Sequence, residues 1–107
     1  MQVPKPERKR RKAEPVTKIR LQFEKECIVC GARTNLQRHH VFGGTGRRRK
    51  SERYGLVAWI CREHHTGDTG VHHNPELDLA VKRFTQIRFE REYDRERFVR
   101  EFGRNYL

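Results

Sequence analysis

The chain has 107 residues, enough for one small domain; 36% of them are charged and only 34% hydrophobic. Lys and Arg outnumber Asp and Glu by 25 to 14, a formal charge of +11 with a pI near 10.3 and a mean hydropathy of −1.05. A core this poor calls for a further staple, no apolar run is long enough to span a membrane, and three cysteines cannot close into a full disulfide framework. The N-terminus also lacks the apolar stretch of a signal peptide, so the expectation is a cytoplasmic protein whose cysteines bind metal.

Residues 1–20 hold eight basic residues against two acidic ones, a net of +6, with prolines at 4, 6 and 15 and few large apolar side chains. They read as a basic tail that is disordered when free. Residues 21–65 carry a net of +5 and residues 66–107 balance at zero, so the excess charge sits in the front of the chain. Short apolar stretches at Leu36 to Phe42 and Leu56 to Ile60 read as strands. Between them Gly43-Gly44-Thr45-Gly46 leads into Arg47-Arg48-Arg49-Lys50, which reads as a long turn or flexible loop. Two basic blocks in one small chain fit a polyanion, because Lys and Arg release counterions when they neutralise phosphates. The expected partner is nucleic acid, DNA or RNA, with Arg38, Arg47, Arg48, Arg49 and Lys50 holding its backbone rather than reading bases.

From Asn74 the pattern becomes helical. Asn74 suits the N-cap, Pro75 the first turn, and Glu76 and Asp78 the positive end of the dipole. Leu77, Ala80, Val81, Phe84 and Ile87 recur at three- and four-residue spacing, one apolar face running to about Tyr93. Asp94 then caps a short second helix with Phe98 and Phe102 on one side, ending at Gly103. The fold class is α+β: a metal-stabilised core over residues 21–75 and a helical extension over residues 76–107 that packs on it.

The chemistry lies in cysteine and histidine. Cys27 with Cys30, and Cys61 with His64, form two hooks separated by thirty residues, and each can place two side chains on one tetrahedral ion. Gly31 after the first hook lets the backbone turn tightly. Structural Zn²⁺ is the expectation, and its binding free energy becomes folding free energy in a domain this small. The plainer reading is three buried thiols and a surface histidine. Five further histidines, His39, His40, His65, His72 and His73, lie within thirty-five residues. His39 and His40 are adjacent on a strand and point to opposite faces if it is regular, unless a bulge or twist aims both at one site. One can then bind a metal while the other acts as a base, the two functions that phosphodiester hydrolysis needs.

A CxxC, a His-His doublet closing a strand, and a second strand running into CxxH-His resemble the HNH endonucleases, the ββα-metal or His-Me finger superfamily, and within it the small HNH proteins of phages and prophages. The resemblance covers about residues 27–75 by motif, and the stretch from Pro75 to the closing Gly103-Arg104-Asn105-Tyr106-Leu107 is similar to the C-terminal region of those proteins. It implies a ββα-metal finger that nicks or cuts DNA with low sequence specificity, leaving a 5′-phosphate and a 3′-hydroxyl, in the cytoplasm of a bacterial host. It further implies His40 as the general base, His39 as a ligand of the catalytic divalent metal, and His65 as a second, with His72 or His73 as the alternative or added ligand. Cys27, Cys30, Cys61 and His64 match the structural zinc set. Imidazole ligands in place of a carboxylate lead to the expectation that Mn²⁺, Ni²⁺ or Co²⁺ serves better than Mg²⁺.

The chain departs from the family in two places. The middle Asn falls near Gly55 or Leu56, neither of which is Asn, leaving Ser51 or Tyr54 as substitutes. Gly67 and Gly70 interrupt the helix that should follow the second hook. A reading from a different class is a zinc-dependent nucleic-acid-binding module without catalysis, in which His39 and His40 pack or touch phosphate.

Overall fold

The computed structural model describes residues 16–107, so most of the expected tail, residues 1–15, lies outside the described residues. Residues 16–20 run against the core: Ile19 is buried and its N–H donates to the carbonyl of Tyr54 at 2.8 Å. That close crossing is possible because Gly55 sits at φ +76°, where a Cβ would meet the Ile19 carbonyl oxygen at 2.2 Å.

Strands β1 (Leu36–His40) and β2 (Val57–Cys61) form an antiparallel two-stranded sheet, with Leu36 opposite Cys61, His39 opposite Ala58 and His40 opposite Val57. Both strands lie within a residue or two of their expected bounds. The connection between them holds the main departure from the sequence reading, because helix α1 (Arg47–Tyr54) occupies ground expected to be a flexible loop. Its propensity is ordinary and its surface strongly polar. What fixes it is tertiary: Tyr54 is 1% exposed among Phe89, Tyr93 and Phe102, and the buried Ser51 hydroxyl donates to the Phe42 carbonyl at 2.8 Å. Gly55 closes the helix in the left-handed region.

Helix α2 (Arg62–His65) is a single turn that starts directly from Cys61, and the glycine-bearing segment after it folds back: the Val71 N–H donates to the His64 carbonyl at 2.7 Å. Helix α3 (Pro75–Glu92) begins as expected, with the Asn74 side chain accepting from the N–H groups of Glu76 and Leu77 at 3.1 and 3.2 Å. Helix α4 (Arg95–Phe102) is capped by Asp94, which accepts from Arg97 N–H at 2.8 Å, and ends at Gly103. Phe98 and Phe102 are buried against Phe42 and Phe89, as the stripe predicts.

The inward face of α3 differs from the expected one. Val81, Thr85, Gln86 and Phe89 are buried, whereas Phe84 and Ile87 are 41% and 45% exposed. Two polar residues take core positions because their groups are satisfied there. Thr85 donates to the Val81 carbonyl at 2.7 Å; Gln86 donates to Asn105 Oδ1 at 2.8 Å and accepts from Tyr106 N–H at 2.8 Å, tying the C-terminus down. Among the described residues no helix is long and apolar enough to cross a membrane. Gln86→Ala should therefore cost about 1–3 kcal/mol in a urea denaturation series, since it strands buried partners, while Ile87→Ala should stay within about 0.5 kcal/mol. The reverse order would restore the face that periodicity alone selects.

Candidate functional site

Cys27, Cys30, Cys61 and His64 converge, with their candidate ligand atoms all within 4.8 Å of one another. The Cys30 and Cys61 sulfurs are 3.8 Å apart, Cys27 Sγ is 4.0 Å from His64 Nδ1, and Cys61 Sγ is 3.2 Å from the same nitrogen. Tetrahedral sulfur ligands at about 2.3 Å from an ion stand about 3.8 Å apart, so the four side chains can hold one metal such as zinc. The backbone prepares the site. Burial pushes the Cys27 thiol up, yet N–H groups of Cys61, Cys30 and Val29 aimed at its sulfur hold it down at about 6. Burial raises the Cys61 thiol, which an ion would deprotonate outright. Around the first hook, Gly31 N–H donates to the Cys27 carbonyl and Ile28 N–H to Trp59 on β2, both within 2.9 Å.

A second cluster forms from His39, His65 and His72, again with ligand nitrogens within 4.8 Å of one another. Of the expected ligands beside His39, His65 and His72 both join the group, while His73 lies outside it. His39 is 6% exposed, and its Nε2 is the one buried side-chain N or O among the described residues that has no hydrogen-bond partner. Such an orphan atom is costly unless a ligand satisfies it. Gln37 accepts from His65 Nδ1, which fixes the tautomer and turns His65 Nε2 toward His72 Nε2, 3.0 Å away. That separation is a hydrogen bond when one ring carries the proton, and it is also the span of two nitrogens bound side by side at about 2.1 Å on one cation. Burial first, then the neighbouring rings of His65 and His72, hold His39 down at about 4; burial and His72 lower His65. His39 and His65 are thus disposed to be neutral, the form that binds metal.

β1 is regular through His40, with no bulge, so alternation separates the two candidate roles. Gln37 and His39 project toward the histidine cluster; Arg38 and His40 project toward α1. At the strand end both sides border one cleft lined by His39, His40, Arg48, His65 and His72. His40 Nε2 lies 2.8 Å from Glu52 Oε1, and Arg38 grips the same carboxylate, with Nη2 to Oε2 at 2.9 Å. Hydrogen bonds from His40 and Arg38 lower the Glu52 carboxyl, which therefore stays ionised and accepts from both. His40 then carries its proton on Nε2 and keeps the Nδ1 lone pair.

The residues expected to take the place of the middle Asn divide the work. Ser51 Oγ grips the Phe42 backbone at both N–H (3.3 Å) and carbonyl, bracing the turn two residues after His40. Tyr54 is instead locked in the aromatic core with its hydroxyl accepting from Arg97 Nε at 3.2 Å. Glu52 and Gln37 were not foreseen; once α1 is seen as a helix, the four-residue spacing of Arg48 and Glu52 puts both on one side of it. Of the expected phosphate contacts, Arg48 and Arg49 line a cleft with Arg38 and His40. Lys50 does not join them, since its ammonium donates to the Glu101 carbonyl at 2.8 Å near the negative end of α4.

No protein-family model matches the chain, and no curated protein and no solved structure matches it. The functional reading rests on the geometry of these two clusters.

Two outcomes follow. Purified protein should carry one tightly bound zinc that a strong chelator removes with loss of the cooperative thermal transition, and Cys61→Ser should reproduce that loss. With the tetrad loaded and the histidine cluster empty, an unfolded His39 at 6.5 binds a proton that the folded residue refuses down to about 4. Stability should therefore fall as pH drops through that window, a slope that His39→Asn flattens.

Proposed function

We propose that the protein is a metal-dependent endonuclease of the HNH, ββα-metal type, hydrolysing phosphodiester bonds of DNA. The single observation that carries the reading is the pairing, at the end of β1, of a three-histidine cluster containing an orphan buried nitrogen with a carboxylate-held histidine on the adjoining face. A purely structural zinc module needs neither. The sequence resemblance supports the same assignment of roles.

In this reading His40 Nδ1 takes a proton from the attacking water, while Glu52 holds the Nε2–H, fixes the tautomer and stabilises the imidazolium that forms. Arg38 keeps Glu52 ionised and in place. His39, His65 and His72 would hold a divalent cation, which when bound supplies charge stabilisation to the leaving oxygen. Gln37 orients His65, and Ser51 holds the turn that follows the base. Arg48 and Arg49 stand beside His40 where they can meet phosphate oxygens.

Supercoiled-plasmid nicking tests this directly. The parent protein should nick with Mn²⁺, Co²⁺ or Ni²⁺ more readily than with Mg²⁺, because all three protein ligands are neutral imidazoles. His40→Ala should lower the rate by about 10²–10⁴-fold, with zinc content and DNA retardation unchanged, and Glu52→Gln should lower it by less. Retardation of DNA by the parent with no nicking under any metal would instead establish a binding module.

A further inference from the structure

We infer that the groove between residues 16–22 and α3, walled by Lys18, Arg20, Arg88 and Arg91, is a second nucleic-acid contact that carries the phosphate backbone onward from the histidine cleft; this rests on the nucleic-acid partner proposed above.

The groove collects four cations from two segments some seventy residues apart, and among the described residues Glu92 is the only acidic one on its walls. None of the four takes part in an ion pair among the described residues. Arg88 is held in place by a neutral group, its Nη2 donating to the Arg20 carbonyl at 2.8 Å, which positions the guanidinium without offsetting its charge. Bringing four like charges together beside a single carboxylate raises the energy of the folded state. An anion resident in the groove removes that cost.

The platform is fixed. Beyond the Arg88 bond, the segment is pinned by Ile19 N–H to Tyr54, by its crossing over Gly55, and by the Tyr93 hydroxyl donating to the Thr17 carbonyl at 3.1 Å. The cations are therefore presented on a prepared surface, with little ordering left for binding.

Continuity selects the occupant. Lys18, Ile19 and Arg20 are also a wall of the next depression along, whose far side is Arg38 and Glu52. Arg38 and Glu52 in turn border the cleft of His40, Arg48 and Arg49. The three depressions thus share lining residues in succession and mark out one path along the surface. Cations spread along such a path match the repeated charge of a polynucleotide backbone, not the single charge of a small anion. Guanidinium and ammonium contacts of this kind position a duplex without reading its sequence.

The test is the salt dependence of binding to a duplex oligonucleotide by fluorescence anisotropy, on zinc-loaded protein without added divalent metal. Arg88→Gln/Arg91→Gln should lower the slope of log K against log salt by about 2, at close to 0.9 per lost phosphate contact, and Arg91→Gln alone by about 1. Arg91 is exposed and makes no contact that holds the fold, so that variant reports even if the loss of Arg88 disturbs the strap. Arg100→Gln/Arg104→Gln removes the same charge away from the path and should leave the slope unchanged. Equal slope losses in both double variants would mean diffuse surface charge and overturn the groove, as would no loss in either. A parent that nicks plasmid while Arg91→Gln binds with the full slope sinks the groove alone. A parent that neither binds nor nicks DNA sinks the proposed function together with it.

Discussion

The convergence of Cys27, Cys30, Cys61 and His64 on one point is the constraint that the rest of the site depends on. Cys61 ends β2 and begins α2, so an ion at that point clamps the sheet, the first loop and the helical turn together. His65 follows the last ligand directly, and the backbone of His64 and His65 receives Val71 and His72 from the returning segment. The histidine cluster is thus built directly on the cysteine–histidine tetrad. In a chain with only 34% hydrophobic residues, that linkage gives a small core the rigidity that positioned ligands need.

The sheet does the sorting. Two strands of five residues are a minimal sheet, yet their pleat buries His39 beside His65 and His72 and sends His40 to a carboxylate on α1. Neighbouring histidines thereby acquire different surroundings. His39 is held neutral by burial and by other imidazoles, as a metal ligand should be; His40 is instead oriented by its hydrogen bond to Glu52. Separating two imidazoles into these settings by strand alternation needs no bulge, because the cleft wraps around the strand end and both rings border it.

Much of this was legible in the sequence where a local rule decides the outcome. The caps at Asn74, Asp94 and Gly103, the two strands and the four hook residues follow from turn chemistry, alternation and ligand spacing. The misses share a physical cause, which is that distant partners overrode local pattern. α1 has almost no apolar periodicity and exists because Ser51 and Tyr54 find partners at Phe42 and in the aromatic core. α3 buries Thr85 and Gln86 over Phe84 and Ile87 because the C-terminal Asn105 and Tyr106 satisfy the Gln86 amide. Glu52 was invisible for the same reason: it reaches His40 only once α1 is folded. Periodicity ranks apolar faces, but it has no means of counting hydrogen bonds that close across the fold.

The most direct test of the central claim is element-specific anomalous diffraction from crystals grown with zinc and soaked in Mn²⁺. The account predicts a zinc peak among Cys27, Cys30, Cys61 and His64, and a separate manganese peak among His39, His65 and His72. A zinc peak at the tetrad with the histidine cluster empty at saturating Mn²⁺ would contradict it, leaving a structural zinc domain without a catalytic metal.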